Sequence, residues 1–208
     1  VNVGITGRNE EHLKSTVAEL EKLGVKAVYS VFNVEEMAQV EQGVASIASQ
    51  LGGIDILINN AGVGDFGSFE EMPVETWEKV MKVNLFGVYY VAKAALPYLK
   101  QNKEGDIVNV ASTAGLKGAP NMSAYCASKA AVISLSQSLM AELRKFNIRV
   151  ITLTPSTIAT DMSIEGKLTD GNPEKVLQPE DFAEWVRDIL KMNRRAMIAS
   201  ASIFSTNP

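Results

Sequence analysis

Ser112, Tyr125 and Lys129 are the side chains whose types and spacing could do chemistry together. Tyr125 and Lys129 stand four residues apart, in a stretch after Asn121 whose Ala, Ser and Leu content predicts a helix, so they share one helical face. An ammonium held near a phenol favours the phenolate and pulls its pKa down from about 10, towards the range where protons exchange at neutral pH. Ser112 follows the apolar run Asp106-Ile107-Val108-Asn109-Val110-Ala111. It therefore falls at a strand's carboxyl edge, where open α/β sheets bind ligands. A hydroxyl, a tunable phenol and a lysine are expected to converge there.

The elements that must position them alternate along the chain. Strands are expected at Val1–Thr6, Lys26–Phe32, Ile54–Ile58, Asp106–Ala111, Ile148–Leu153 and Ala196–Phe204. Helices are expected from Asn9 to Gly24, Glu35 to Gln50, Val74 to Lys100, Asn121 to Phe146 and Phe182 to Met192. Apolar runs such as Ile56-Leu57-Ile58 suit parallel strands buried on both faces. This βαβ alternation predicts a Rossmann-type, doubly wound parallel sheet in a single α/β domain over 1–208. Ser156 to Pro179 has weak periodicity and reads as a long loop or lid.

Composition excludes several classes. A net charge of −4 with no basic run gives no footprint for nucleic acid or an anionic membrane. No apolar run reaches the roughly 18 residues of a membrane helix. The single cysteine, Cys126, rules out an intramolecular disulfide and a cysteine-cluster metal site, and suits a reducing cytoplasm. With His12 as the only histidine, a Ser-His-Asp hydrolase and a multi-histidine metal centre are also excluded. Cys126, which points away from Tyr125, reads as a packing residue, and Trp77, Val80, Met81 and Leu85 read as core or subunit interface.

The sequence resembles the short-chain dehydrogenase/reductase family, in particular its 3-oxoacyl-acyl-carrier-protein reductase-like members. The resemblance rests on Asn59-Asn60-Ala61-Gly62, Asn84, Ser112, the Tyr125-x-x-x-Lys129 pair, and Pro155-Ser156-Thr157 with Thr160. Ser112 precedes Tyr125 by 13 positions, the spacing this family uses. The resemblance implies hydride transfer from NADP(H) to a ketone carbon. Tyr125 would be the proton donor, Ser112 a hydrogen-bond donor to the carbonyl oxygen, Lys129 the ribose anchor, and Asn84 would orient a water behind Lys129. Asn60, Ala61, Gly62, Pro155, Thr157 and Thr160 would contact the cofactor, with Asn33 and Val34 near the adenine. Arg8, following Gly7 where NAD-preferring relatives usually carry an acid, matches a 2′-phosphate and implies NADP.

The glycine-rich phosphate loop that opens the family's fold is not found near Thr6-Gly7, where Asn9, Glu10 and Glu11 would repel a diphosphate. Val1–Gly7 therefore corresponds to the family's second strand, and about 25 to 30 residues, one βα unit, are expected to lie upstream. The expected function is NADPH-dependent reduction of a ketone to a secondary alcohol, with a 3-oxoacyl thioester as the first substrate class, in a cytoplasmic homo-oligomer, dimer or tetramer. Two alternatives stay open: another secondary-alcohol or sugar-alcohol dehydrogenase, and a scaffold unable to bind dinucleotide.

Overall fold

The computed structural model describes residues 1–206. The strands are β1 (Val3–Gly7), β2 (Ala27–Val31), β3 (Ile56–Asn59), β4 (Gly105–Val110), β5 (Ile148–Pro155) and β6 (Ser200–Ile203). The helices are α1 (Glu10–Lys22), α2 (Met37–Leu51), α3 (Val74–Met81), α4 (Gly87–Gln101), α5 (Ser123–Leu143), α6 (Asp161–Glu165) and α7 (Pro179–Lys191). Every strand pair is parallel. The Rossmann-type α/β reading in one domain therefore holds.

The two-faced burial expected of the strands is met in β4 and β5. Ile107 and Val150 pack into a cluster with Val40 and Val44 of α2, Ala95 and Leu99 of α4, and Leu143 of α5. Val108, Ile151 and Leu153 face the other way, onto Val186 and Ile189 of α7. Successive strand residues point to opposite faces, so this split is what a sheet wound on both sides requires. At the other end, a Cβ on Gly4 would strike Ile47 of α2 at 2.4 Å, while a Cβ on Gly7 would touch Leu13 of α1 at 3.4 Å. Helices flank β1 on both faces too.

Burial on both faces does not extend to β3, where Ile58 is 45% exposed. The strands form two hydrogen-bonded groups, β1-β2 and β3-β4-β5-β6, with no ladder between β1 and β3 among the described residues. α2 and α4 pack against each other above this break and join the groups through the main apolar cluster.

The single helix expected over Val74–Lys100 is three pieces. A five-residue π-helical stretch, Lys82–Phe86, joins α3 to α4. Such insertions widen the backbone spiral and redirect a side chain, and they gather at functional sites. The segment expected as a plain lid holds the short helix α6 and an isolated bridge between Ile158 and Leu177.

Candidate active site

Ser112 lies two residues past β4, in extended backbone at φ −170°, and its hydroxyl accepts a hydrogen bond from Ala114 N–H at 3.1 Å. That bond holds the turn Thr113–Gly115, which packs against α5. The approach is as close as backbone allows, because a Cβ on Gly115 would stand 2.7 Å from the Lys129 carbonyl carbon. Glycine at 115 lets the serine turn meet α5 at the level of Lys129. The Ser112 hydroxyl is consequently close enough to the Tyr125 phenol to influence its ionisation.

Lys129 is 5% exposed, and its Nζ donates to the Val110 carbonyl at 3.0 Å. It sits 5.7 Å from the centre of the Tyr125 ring. Burial pulls the Lys129 ammonium down to about 8. For Tyr125, burial pushes the phenol above its usual value, with the nearby Ser112 hydroxyl opposing. Lys129, four residues on, is expected to lower the phenol. In the structure desolvation of both groups dominates, because charge is costly in this water-poor site.

Asn84, fully buried, sits in the π-helical stretch. Its Oδ1 accepts from Val63 N–H at 2.8 Å, and its Nδ2 donates to Val63 C=O at 3.0 Å and to Ser128 Oγ at 3.1 Å. The side chain thus clamps the loop after β3 onto α5. A Cβ on Gly62 would lie 3.3 Å from Asn84 Oδ1 and 3.6 Å from Lys129 Nζ. Below these residues runs a buried chain: Asn59 Nδ2 donates to Asn109 Oδ1, and Asn109 Nδ2 to Ser136 Oγ, both at 2.8 Å.

Asn60 and Ala61 are exposed at the end of β3, Pro155 is buried at the end of β5, Thr157 is half-buried, and Thr160 is exposed at the start of α6. All of these stand at or just past the carboxyl ends of β3 and β5, the edge on which Ser112 follows β4. Arg8, exposed past β1, makes no ion pair among the described residues and shares a depression with Asn9 and Glu10. The Glu10 carboxylate there is already held by Lys14 at 3.0 Å and the Tyr29 hydroxyl at 3.1 Å. The Asn33 side chain bonds Glu35 within its own turn, and Val34 packs on Gly87.

The spacing Gly62-x-Gly64-x-x-Gly67 follows β3 and matches a dinucleotide fingerprint, which the reading of the sequence overlooked. The next helix, however, starts only at Val74, and Gly64 is held against a side chain, Phe66, rather than left open to a ligand. No phosphate cradle of the strand-turn-helix kind occurs among the described residues. The sequence reading also missed Phe66, whose ring stands edge-on to Tyr125 at 5.7 Å and 72°. Its only signal was one aromatic among glycines in a loop without periodicity.

A short chain dehydrogenase profile matches residues 1–170. The chain is 36% identical over 188 residues, 84% of its length and 81% of the relative's, to an inactive 2-(S)-hydroxypropyl-CoM dehydrogenase 2 of Xanthobacter autotrophicus. It is 38% identical over 167 residues, 80% of its length and 65% of the relative's, to the 3-oxoacyl-(acyl-carrier-protein) reductase FabG of Thermotoga maritima. The fold superposes with a TM-score of 0.89 on an actinorhodin polyketide ketoreductase solved with NADPH, at 28% identity, covering 98% of this chain and 86% of that one. Profile, relatives and fold agree with the serine, tyrosine and lysine gathered at the strand ends: the chain belongs to the short-chain dehydrogenase/reductase family of oxidoreductases.

Proposed function

We propose that this chain reduces a ketone to a secondary alcohol with NADPH, with a 3-oxoacyl thioester of cytoplasmic fatty-acid synthesis as the first substrate class. The observation that carries the reading is the Ser112 hydroxyl brought beside the Tyr125 phenol at the strand end, with the Lys129 amine 5.7 Å from that ring. When bound, the reduced nicotinamide supplies the hydride. Tyr125 gives its proton to the carbonyl oxygen, a task suited to a phenol kept neutral by burial. Ser112 donates to the same oxygen as charge develops on it.

Lys129 holds the ribose hydroxyls, and Asn60, Ala61, Gly62, Pro155, Thr157 and Thr160 line the nicotinamide side. Asn84 is a positioning residue that fixes the loop after β3. A water behind Lys129 would share the Asn84 Oδ1 with Val63 N–H. Arg8, just past β1 and in no ion pair among the described residues, supports NADP over NAD by its match to a 2′-phosphate. Exposed Phe86 and Tyr89 on the α3–α4 unit offer a face for a homo-oligomer, which light scattering would measure.

The test is NADPH oxidation with acetoacetyl thioesters against a panel of simple ketones and sugar ketones. A preference for the thioester supports the substrate class, and a preference for sugar ketones moves it to the sugar-alcohol dehydrogenases. A second reading, a scaffold that binds no dinucleotide, is favoured by the acidic first turn of α1, where Glu10 and Glu11 would repel a diphosphate. Calorimetry decides between the two. Micromolar NADPH binding excludes the scaffold, and no binding by folded protein supports it.

A further inference from the structure

We propose that Phe66 is a specificity-determining residue, the apolar wall of the substrate cleft, and that it selects ketones bearing an alkyl or aryl group beside the carbonyl over polyhydroxy ketones. The inference rests on the reading of Tyr125 as proton donor. The Phe66 ring is edge-on to Tyr125, with centroids 5.7 Å apart and an angle of 72°. A substrate group packed beside the Tyr125 ring therefore meets an aromatic neighbour.

The ring is held from two sides where no side chain could stand. A Cβ on Gly64 would lie 2.7 Å from its Cζ, and a Cβ on Gly166 would lie 2.7 Å from its Cε2. The Met162 sulfur comes within 3.1 Å of the same Gly64 position. Phe66 thus wedges between the loop after β3, the Tyr125 face of α5, and the α6 end of the lid. Its loop is pinned on either side, by Asn84 at Val63 and by the Gly67 N–H bond to Asn121 C=O at 2.9 Å.

A loop tied down this firmly presents its ring at low entropic cost, which is how an aromatic anchor gives discrimination. A hydroxylated carbon placed against Phe66 and Met162 would lose its water without gaining a partner. An alkyl or aryl group there loses nothing and gains contact. The same wall separates the two enzyme alternatives, since a 3-oxoacyl chain has an apolar side and a sugar ketone has none.

The experiment compares wild type, Phe66→Ala and Phe66→Leu with acetophenone and dihydroxyacetone as probes. Ligand-observed NMR measures binding and NADPH oxidation measures turnover. The proposal expects Phe66→Ala to weaken acetophenone binding by about tenfold and raise its KM alike, with dihydroxyacetone unchanged or improved. Phe66→Leu, which keeps an apolar wall, should recover most of the loss. Equal changes for both probes mean a merely structural role and overturn the proposal, as does a wild type that binds neither. Binding is read apart from hydride transfer. Wild type that binds acetophenone through Phe66 yet turns over no ketone therefore refutes the reductase reading and leaves the wall intact.

Discussion

The Lys129 amine donates to the Val110 carbonyl at 3.0 Å and lies 5.7 Å from the centre of the Tyr125 ring. The lysine is thereby held at the end of β4, two residues before Ser112. Strand end and helix face are locked by one hydrogen bond. The arrangement places a buried cation where water is scarce, and its consequences are measurable without substrate.

Burial holds Lys129 at about 8 in the folded chain, against its ordinary 10.5 when unfolded. Between those values the unfolded chain binds more protons, so stability rises with pH from about 8 towards 10. Below about 8 the buried charge costs the fold about 3 kcal/mol. Above about 10 the raised Tyr125 pKa acts against stability, since the unfolded chain then loses its phenolic proton first. Urea midpoints of the wild type should climb over that window and those of Lys129→Met should stay flat. A flat wild-type profile would contradict the burial of this amine.

Gly115 meets the Lys129 backbone where a Cβ would stand at 2.7 Å. Gly115→Ala must push the serine turn away from α5, at a cost of about 1–3 kcal/mol. A lowered denaturation midpoint is expected, along with a kcat that falls more than KM changes, because Ser112 moves off the phenol. An unchanged kcat would show that the turn can shift without moving the serine.

Asp106 is held by Arg149 at 2.6 Å and Arg194 at 2.8 Å, at the start of β4 and far from Ser112 at the strand's other end. Arg149 also donates to the carbonyls of Leu190, Met192 and Ala196, tying the turn after α7 to the sheet. Asp106→Ala leaves a buried guanidinium uncompensated and should cost about 3–5 kcal/mol. Thermal unfolding reads the loss, while kcat/KM on surviving folded protein should stay within about twofold.

Asn84→Ala strands the Val63 N–H and C=O and should cost about 2 kcal/mol. The loop carrying Phe66 would loosen, so hydrogen exchange at Val63–Gly67 should speed up. Protection equal to wild type would argue against the clamp.

Much of the fold was written in the apolar runs of β4 and β5, because a strand buried on both faces needs an uninterrupted run. Ser112, Tyr125 and Lys129 were legible because their spacing is local to one strand end and one helix. What was hidden depends on distance in three dimensions. The π-helical stretch at Asn84 exists to meet Val63, 21 residues earlier, and no periodicity within Val74–Lys100 announces it. Asp106 and Arg149 face each other in register across β4 and β5, so opposite charges opening two apolar strands were a signal that went unread. The direction of the Tyr125 shift was missed because adjacency in sequence shows a charge but not the loss of water around it.

The most direct test of the central claim is the rate of NADPH oxidation with an acetoacetyl thioester by wild type and Tyr125→Phe. The account predicts measurable wild-type turnover and a loss of about 10²–10⁴-fold in kcat for the variant, with NADPH binding retained. Equal rates in the two proteins would contradict the assignment of Tyr125 as the proton donor.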